Sequence, residues 1–170
     1  MEEYRYLHFA IHGILGNQIP GIYEPALILA DEPENSDQDG FLTLSEVGNL
    51  KIHSEIKVLS TCDTGYDEYF TGEGIMGLSR GFLVAGSNSV IVSLWPVASE
   101  ATVELMTLFY QNLRSGKSKR DSLRLAQLSM MDKKDLKSYR DRGISVTDKT
   151  INSFDMEHPF YWAPFVLIGD

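Results

Sequence analysis

The chain has a single cysteine, Cys62, among its 170 residues. An internal disulfide is therefore excluded, and with it the disulfide-stapled class of small secreted domains. The expected setting is a reducing one, the cytoplasm. No apolar run is long enough to span a bilayer, and the opening Met1-Glu2-Glu3-Tyr4-Arg5 lacks the pattern of a signal peptide. Basic residues are scarce: 15 Lys and Arg stand against 24 Asp and Glu, a net charge of −9. That balance argues against nucleic acid or an anionic membrane as a direct partner. Repeats and low-complexity tracts are absent, which excludes solenoids and fibrous chains. His8, His12, His53 and His158 show no paired ligand spacing with the lone cysteine, so no metal and no other cofactor is expected.

What is there is a composition ordinary for one globular domain over 1–170, 43% hydrophobic and 23% charged, and enough chain to bury a sizeable core. Tyr4 to Ile11 is aromatic and β-branched and reads as a strand ending at His12-Gly13. Gly13 to Pro25, with three glycines and two prolines, reads as loop. Ala26 to Ala30 is a short strand, and Asp39-Gly40 a turn. Thr43-Leu44-Ser45-Glu46 has the spacing of a capping box. Ile56-Lys57-Val58-Leu59 is a short β-prone run that stops at Ser60-Thr61-Cys62-Asp63-Thr64-Gly65. Glu73 to Ala85 carries apolar residues at helical spacing, with Gly86 as its stop. Ser89 to Leu94 is a buried-type strand barred from continuing by Pro96. Ser99 is the expected N-cap of a helix through Leu113, with Val103, Met106, Phe109, Tyr110 and Leu113 inward. Asp121 to Met131 is a second helix burying Leu123, Ala126, Leu128 and Met130. Residues 132–157 form a polar insertion, mobile or partly helical, and Phe160 to Ile168 returns to strand. Strands alternating with helices predict an α/β sandwich with a largely parallel sheet.

In such sheets ligands bind at the carboxyl edge of the strands. His12 and Cys62 each follow a strand directly. A thiol becomes a strong nucleophile as thiolate, helped by a nearby imidazole and a helix N-terminus. If the two strands are parallel neighbours, their ends lie about 5 Å apart. Gly13 has no Cβ to obstruct a carbonyl, so its N–H and that of Cys62 are candidates for an oxyanion hole. Cys62 follows His12 by about 50 residues, the order and separation of caspases. The plain alternative is that Cys62 is a small buried hydrophobe and His12 an ordinary loop residue.

His8-Phe9-Ala10-Ile11-His12-Gly13 and Leu59-Ser60-Thr61-Cys62-Asp63-Thr64-Gly65 resemble the two catalytic blocks of the CHAT domain, a caspase- and separase-like protease family. Gly72 to Gly86, Ser89 to Val97 and His158 to Asp170 resemble the blocks that follow, in the same order. The resemblance implies a caspase-like three-layer α/β/α sandwich, with His12 as catalytic imidazole, Cys62 as nucleophile, and Gly13 and Cys62 as oxyanion donors. It implies a protein or peptide substrate bound as an added strand along Ser93-Leu94-Trp95. Trp95 would wall a side-chain pocket; its alternative is a plain core tryptophan. Pointing inward, Asp63 would raise the thiol pKa. Its useful role is to select a basic residue at the cleavage site, as in separase-like enzymes, and its alternative is a turn residue. Glu73 competes for that role, although an acid in a first helical turn ordinarily answers the dipole.

The family's sheet has two strands before the one ending in the catalytic histidine. The expectation is a sheet that lacks them and leaves the edge at 4–11 open to a second copy, a partner chain or the rest of a longer parent carrying helical repeats. The leading expectation is a cysteine endopeptidase. The alternatives are a non-catalytic peptide-binding module and a redox-sensing thiol. Gly72-x-Gly74-x-x-Gly77 matches the dinucleotide fingerprint by letter, but the tight strand-turn-helix context is missing.

Overall fold

The computed structural model describes residues 4–29, 39–60, 72–131 and 156–170. The chain divides into two compact units, Met1–Val97 with Pro164–Asp170, and Ala98–Ala163.

The first unit holds a four-stranded sheet in the order β1 (Tyr6–Phe9), β5 (Ile56–Leu59), β6 (Ser89–Ser93), β7 (Phe165–Gly169). The first three strands are parallel, and β7 is antiparallel to β6. A second, antiparallel sheet has the order β2 (Gly13–Ile14), β3 (Ala26–Ile28), β4 (Phe41–Thr43). This is the α/β architecture with a mostly parallel sheet that the alternation of elements predicts. The two central strands are buried along their whole length, which is why Ile-Lys-Val-Leu and Ser-Val-Ile-Val-Ser read as near-continuous runs rather than alternating ones.

Helices α1 (Leu44–Asn49) and α2 (Gly72–Val84) pack in the same unit. The start of α1 is a capping box: Thr43 Oγ1 accepts from the Glu46 N–H, and the Glu46 carboxylate accepts from the Thr43 N–H at 2.8 Å. Glu24 adds a second acceptor for the Ser45 N–H and hydroxyl. Four backbone donors at a helix start need such partners. Thr43→Ala is expected to cost about 1 kcal/mol, read as a lower urea midpoint.

The stop of α2 is equally local. Gly86, at φ 101, donates to the Leu83 C=O, and Ser87 to the Phe82 C=O, the two bonds of a Schellman turn. Gly116, at φ 86, closes α3 (Ser99–Arg114) in the same way. The fingerprint-like glycines lie inside α2, and the helix carries a further one, Gly81. There a Cβ would stand 2.9 Å from Leu44 Cδ1 and 3.1 Å from Val47 Cγ1, so this glycine lets α1 approach α2.

The core of this unit gathers Leu27, Val47, Ile52, Leu59, Leu78, Phe82, Val90 and Val92, with Leu7, Phe9 and Leu94 packed against it. Lys57 is buried within the sheet, its Nζ 5.4 Å from the centroid of the Phe82 ring.

Five expectations are corrected. Gly13–Ile14 is not loop but a strand of two residues, too short to leave a periodic signal and made by pairing with β3. The last strand begins at Phe165, because Pro159–Tyr161 turns as a 3₁₀ segment behind a His158 cap. In the second unit, the N-cap of α3 is Ala98, one residue before Ser99. The buried face of α3 is Ala101, Leu105, Met106, Leu108 and Phe109; Val103 is 65% exposed, as Leu128 is 43% exposed on α4 (Lys119–Met131). Both helices carry apolar residues on more than one side, so periodicity alone leaves the inward face open. Most of the expected insertion, 132–155, lies outside the described residues. No helix among the described residues is long and apolar enough to cross a membrane.

Candidate active site

β1 and β5 are parallel neighbours, with Tyr6 opposite Ile56 and Phe9 opposite Leu59. Their carboxyl ends are therefore level. The Phe9 C=O accepts the Ser60 N–H at 3.1 Å, one step past the last paired residues. Beyond it the chain runs through Ala10 and Ile11 to His12, whose C=O accepts the Ile28 N–H at 2.8 Å. That bond pins the His12 main chain to β3 while the residue stays exposed.

The same bond orients Gly13. Opposed residues of an antiparallel ladder alternate between hydrogen-bonded and non-hydrogen-bonded pairs. His12 and Ile28 form a bonded pair, so Gly13 opposite Leu27 is of the other kind, and its N–H points away from β3. Gly13 is buried there.

Cys62 and Asp63 lie outside the described residues, as do Thr61 and the side chain of Glu73. The described chain reaches Ser60, two residues short of the thiol. Because β5 and β6 are parallel with α2 between them, the N-terminus of α2 at Gly72 returns to the carboxyl edge of the sheet. A helix N-terminus lowers a thiol's pKa when the two are close.

Sequence reasoning gave His8 no role in the site. Its Nε2 is 2.8 Å from Ser60 Oγ. Leu7 and Phe9 turn to the core, so His8 stands on the opposite sheet face, the face it shares with Ser60. The ring is exposed to solvent on one side, and desolvation by its neighbours still pulls the His8 pKa below its ordinary value, which favours a neutral ring. A paired histidine and serine in different strands leave no signal in the sequence, since only the register brings them together.

Ser93 and Leu94 follow a different pattern. Ser93 Oγ donates to the Trp95 C=O at 2.6 Å, and the Leu94 N–H donates to the Pro164 C=O at 3.1 Å. Leu94 turns its side chain to the core, and Trp95 is half-buried. The segment leaves β6 as a bend before Pro96. Among the described residues no group of His, Cys, Asp and Glu has the geometry to hold a metal ion.

The CHAT domain profile matches residues 1–170. Tetratricopeptide repeat protein 28 of Homo sapiens is 30% identical over 133 residues, which is 78% of this chain and 4% of that protein. The protein of the same name from Mus musculus is 29% identical over 128 residues, 75% of this chain and 4% of that protein. The chain thus corresponds to a small part of the relatives it matches.

Proposed function

Since the chain belongs to the CHAT domain family, which is caspase-like, we propose that it is a cysteine endopeptidase domain in which His12 assists Cys62. The observation that carries this reading is the level, parallel pairing of β1 and β5, since the chain segments bearing the two residues leave the same sheet edge. The Cys62 thiolate attacks a peptide carbonyl and forms the S–C bond. The Gly13 and Cys62 N–H groups hold the resulting oxyanion. The C–N bond breaks, and the departing amine takes its proton from the His12 imidazolium. Water then attacks the thioester, His12 takes its proton to become imidazolium again, the C–S bond breaks, and the acid leaves as the Cys62 thiolate is restored.

The substrate lies as an added strand along Ser93, Leu94 and Trp95. With the Leu94 N–H committed to Pro164, the main-chain bonds to substrate fall to Ser93 and Trp95. Asp63 selects a basic residue before the cut. The domain works in the cytoplasm within a longer protein carrying helical repeats; the repeats are supported by the names of the two relatives. Those names describe repeats and not an activity, which favours a second reading, a peptide-binding module that does not cleave.

A fluorogenic peptide library separates the two. Cleavage by the wild type that disappears in Cys62→Ala is the expected result, with preference for Arg or Lys before the cut. An apolar preference sinks the role given to Asp63. Peptide binding that Cys62→Ala leaves intact, with no cleavage by the wild type, makes the chain a binding module.

A further inference from the structure

We propose that His8 is a positioning residue for this site: its ring clasps Ser60 Oγ and locks the end of β5 to the strand that leads to His12. The inference rests on the His12–Cys62 reading.

Among the described residues, the last main-chain bond between β1 and β5 is the one from the Ser60 N–H to the Phe9 C=O. Past that point the β1 chain runs on through Ala10 and Ile11 to His12. One hydrogen bond at a strand end sets register but leaves the strands free to twist about it. The second bond, from His8 Nε2 to Ser60 Oγ at 2.8 Å, crosses the same gap on one sheet face. His8 stands opposite Val58 in the register, so the ring leans forward along the strand to reach Ser60. Two bonds to one residue, one to its main chain and one to its side chain, fix both the separation and the rotation of the β5 end.

The chemistry of the two residues points the same way. Ser60 follows a run of four buried residues and is itself only 2% exposed. A buried hydroxyl there needs a partner, and His8 supplies it. Imidazole is rigid, with two side-chain torsions, so it holds the geometry with little freedom. The opposing wall is held too, since the His12 C=O is tied to the Ile28 N–H at 2.8 Å. A misplacement of about 1 Å at a reacting group is enough to cost a hundredfold in rate.

The test uses the lone cysteine. Alkylation of Cys62 by iodoacetamide, followed by mass spectrometry across pH 5 to 9, reads the thiolate whether or not a good peptide substrate is in hand. The wild type is expected to react at low pH through a limb that His12→Ala removes. His8→Phe and Ser60→Ala each shrink that limb by about tenfold. The double variant is no slower than either single one, because the two residues act as a unit. His8→Gln, whose amide reaches the same hydroxyl, recovers part of the rate. Urea midpoints check that Ser60→Ala and His8→Gln are folded, and a purely structural role would move those midpoints and not the limb.

If both single variants keep the wild-type profile while His12→Ala loses the limb, the clasp is overturned and the dyad stands. Additive slowing in the double variant also overturns it. Equal profiles for the wild type and His12→Ala overturn the dyad, and the role of His8 falls with it.

Discussion

Phe82→Ala lowers the stability of the folded chain by about 4 kcal/mol, seen as a fall in the urea midpoint. Phe82 is fully buried on α2 and sits in the core cluster beneath the sheet. Its ring lies 5.4 Å from that of Phe9, tilted by 32°, and it faces the Lys57 amine from the same distance. Truncation removes the apolar area, leaves a cavity between α2 and the strands, and strips the amine of its aromatic neighbour. Against a total stability of about 5–15 kcal/mol for a domain, this is a large fraction. Phe82→Leu, which keeps most of the volume, is expected to lose far less. Equal losses for the two would mean that the site does not behave as a packed core.

Lys57→Met is expected to act in the opposite direction, raising stability by about 2 kcal/mol at neutral pH. Lys57 is fully buried on the strand that leads to Cys62, and its Nζ has no hydrogen-bond partner among the described residues. Removal from water disfavours the ammonium, and burial lowers the Lys57 pKa to about 8. Methionine offers a similar unbranched length without the charge.

The pH dependence follows with a definite sign. Between the folded value of about 8 and the ordinary lysine value of about 10.4, the unfolded chain holds the proton and the folded chain has released it. Stability of the wild type therefore rises with pH across that window relative to Lys57→Met, and below it the gap between the two is constant. The comparison is best made up to about pH 10. Burial pushes the Tyr110 hydroxyl up to about 12, so folding opposes its ionisation and all forms lose stability above the ordinary tyrosine range. A gap that stays flat from pH 7 to 10 would show that the folded chain keeps the Lys57 proton and that the amine finds water.

In Phe82→Ala the cavity gives Lys57 a route to solvent, so the gain from Lys57→Met should shrink in that background. The double-mutant cycle measures the coupling between the two.

The reach of local chemistry explains what was legible beforehand. The capping box at Thr43, the stop at Gly86 and the strand around Ile56 each depend on a few consecutive residues. So do the histidine and cysteine blocks that identify the family. Lys57 shows where this reach ends. Nothing within Ile-Lys-Val-Leu marks the lysine as buried, yet β1 and β6 flank its strand and α2 covers it. Val103 and Leu128 fail for a related reason, since a helix with apolar residues on several sides takes its inward face from whatever packs on it.

By itself, then, the amino-acid sequence determined the kinds and order of most of the elements, the caps at Thr43 and Gly86, and the blocks that place the chain in its family, because each of these rests on a few neighbouring residues. Only the tertiary structure decided that β1 and β5 are level parallel neighbours, that Gly13 turns its N–H away from β3, and that His8 meets Ser60. Those outcomes depend on register between segments far apart in the chain, and register is set by which side chains can be buried together.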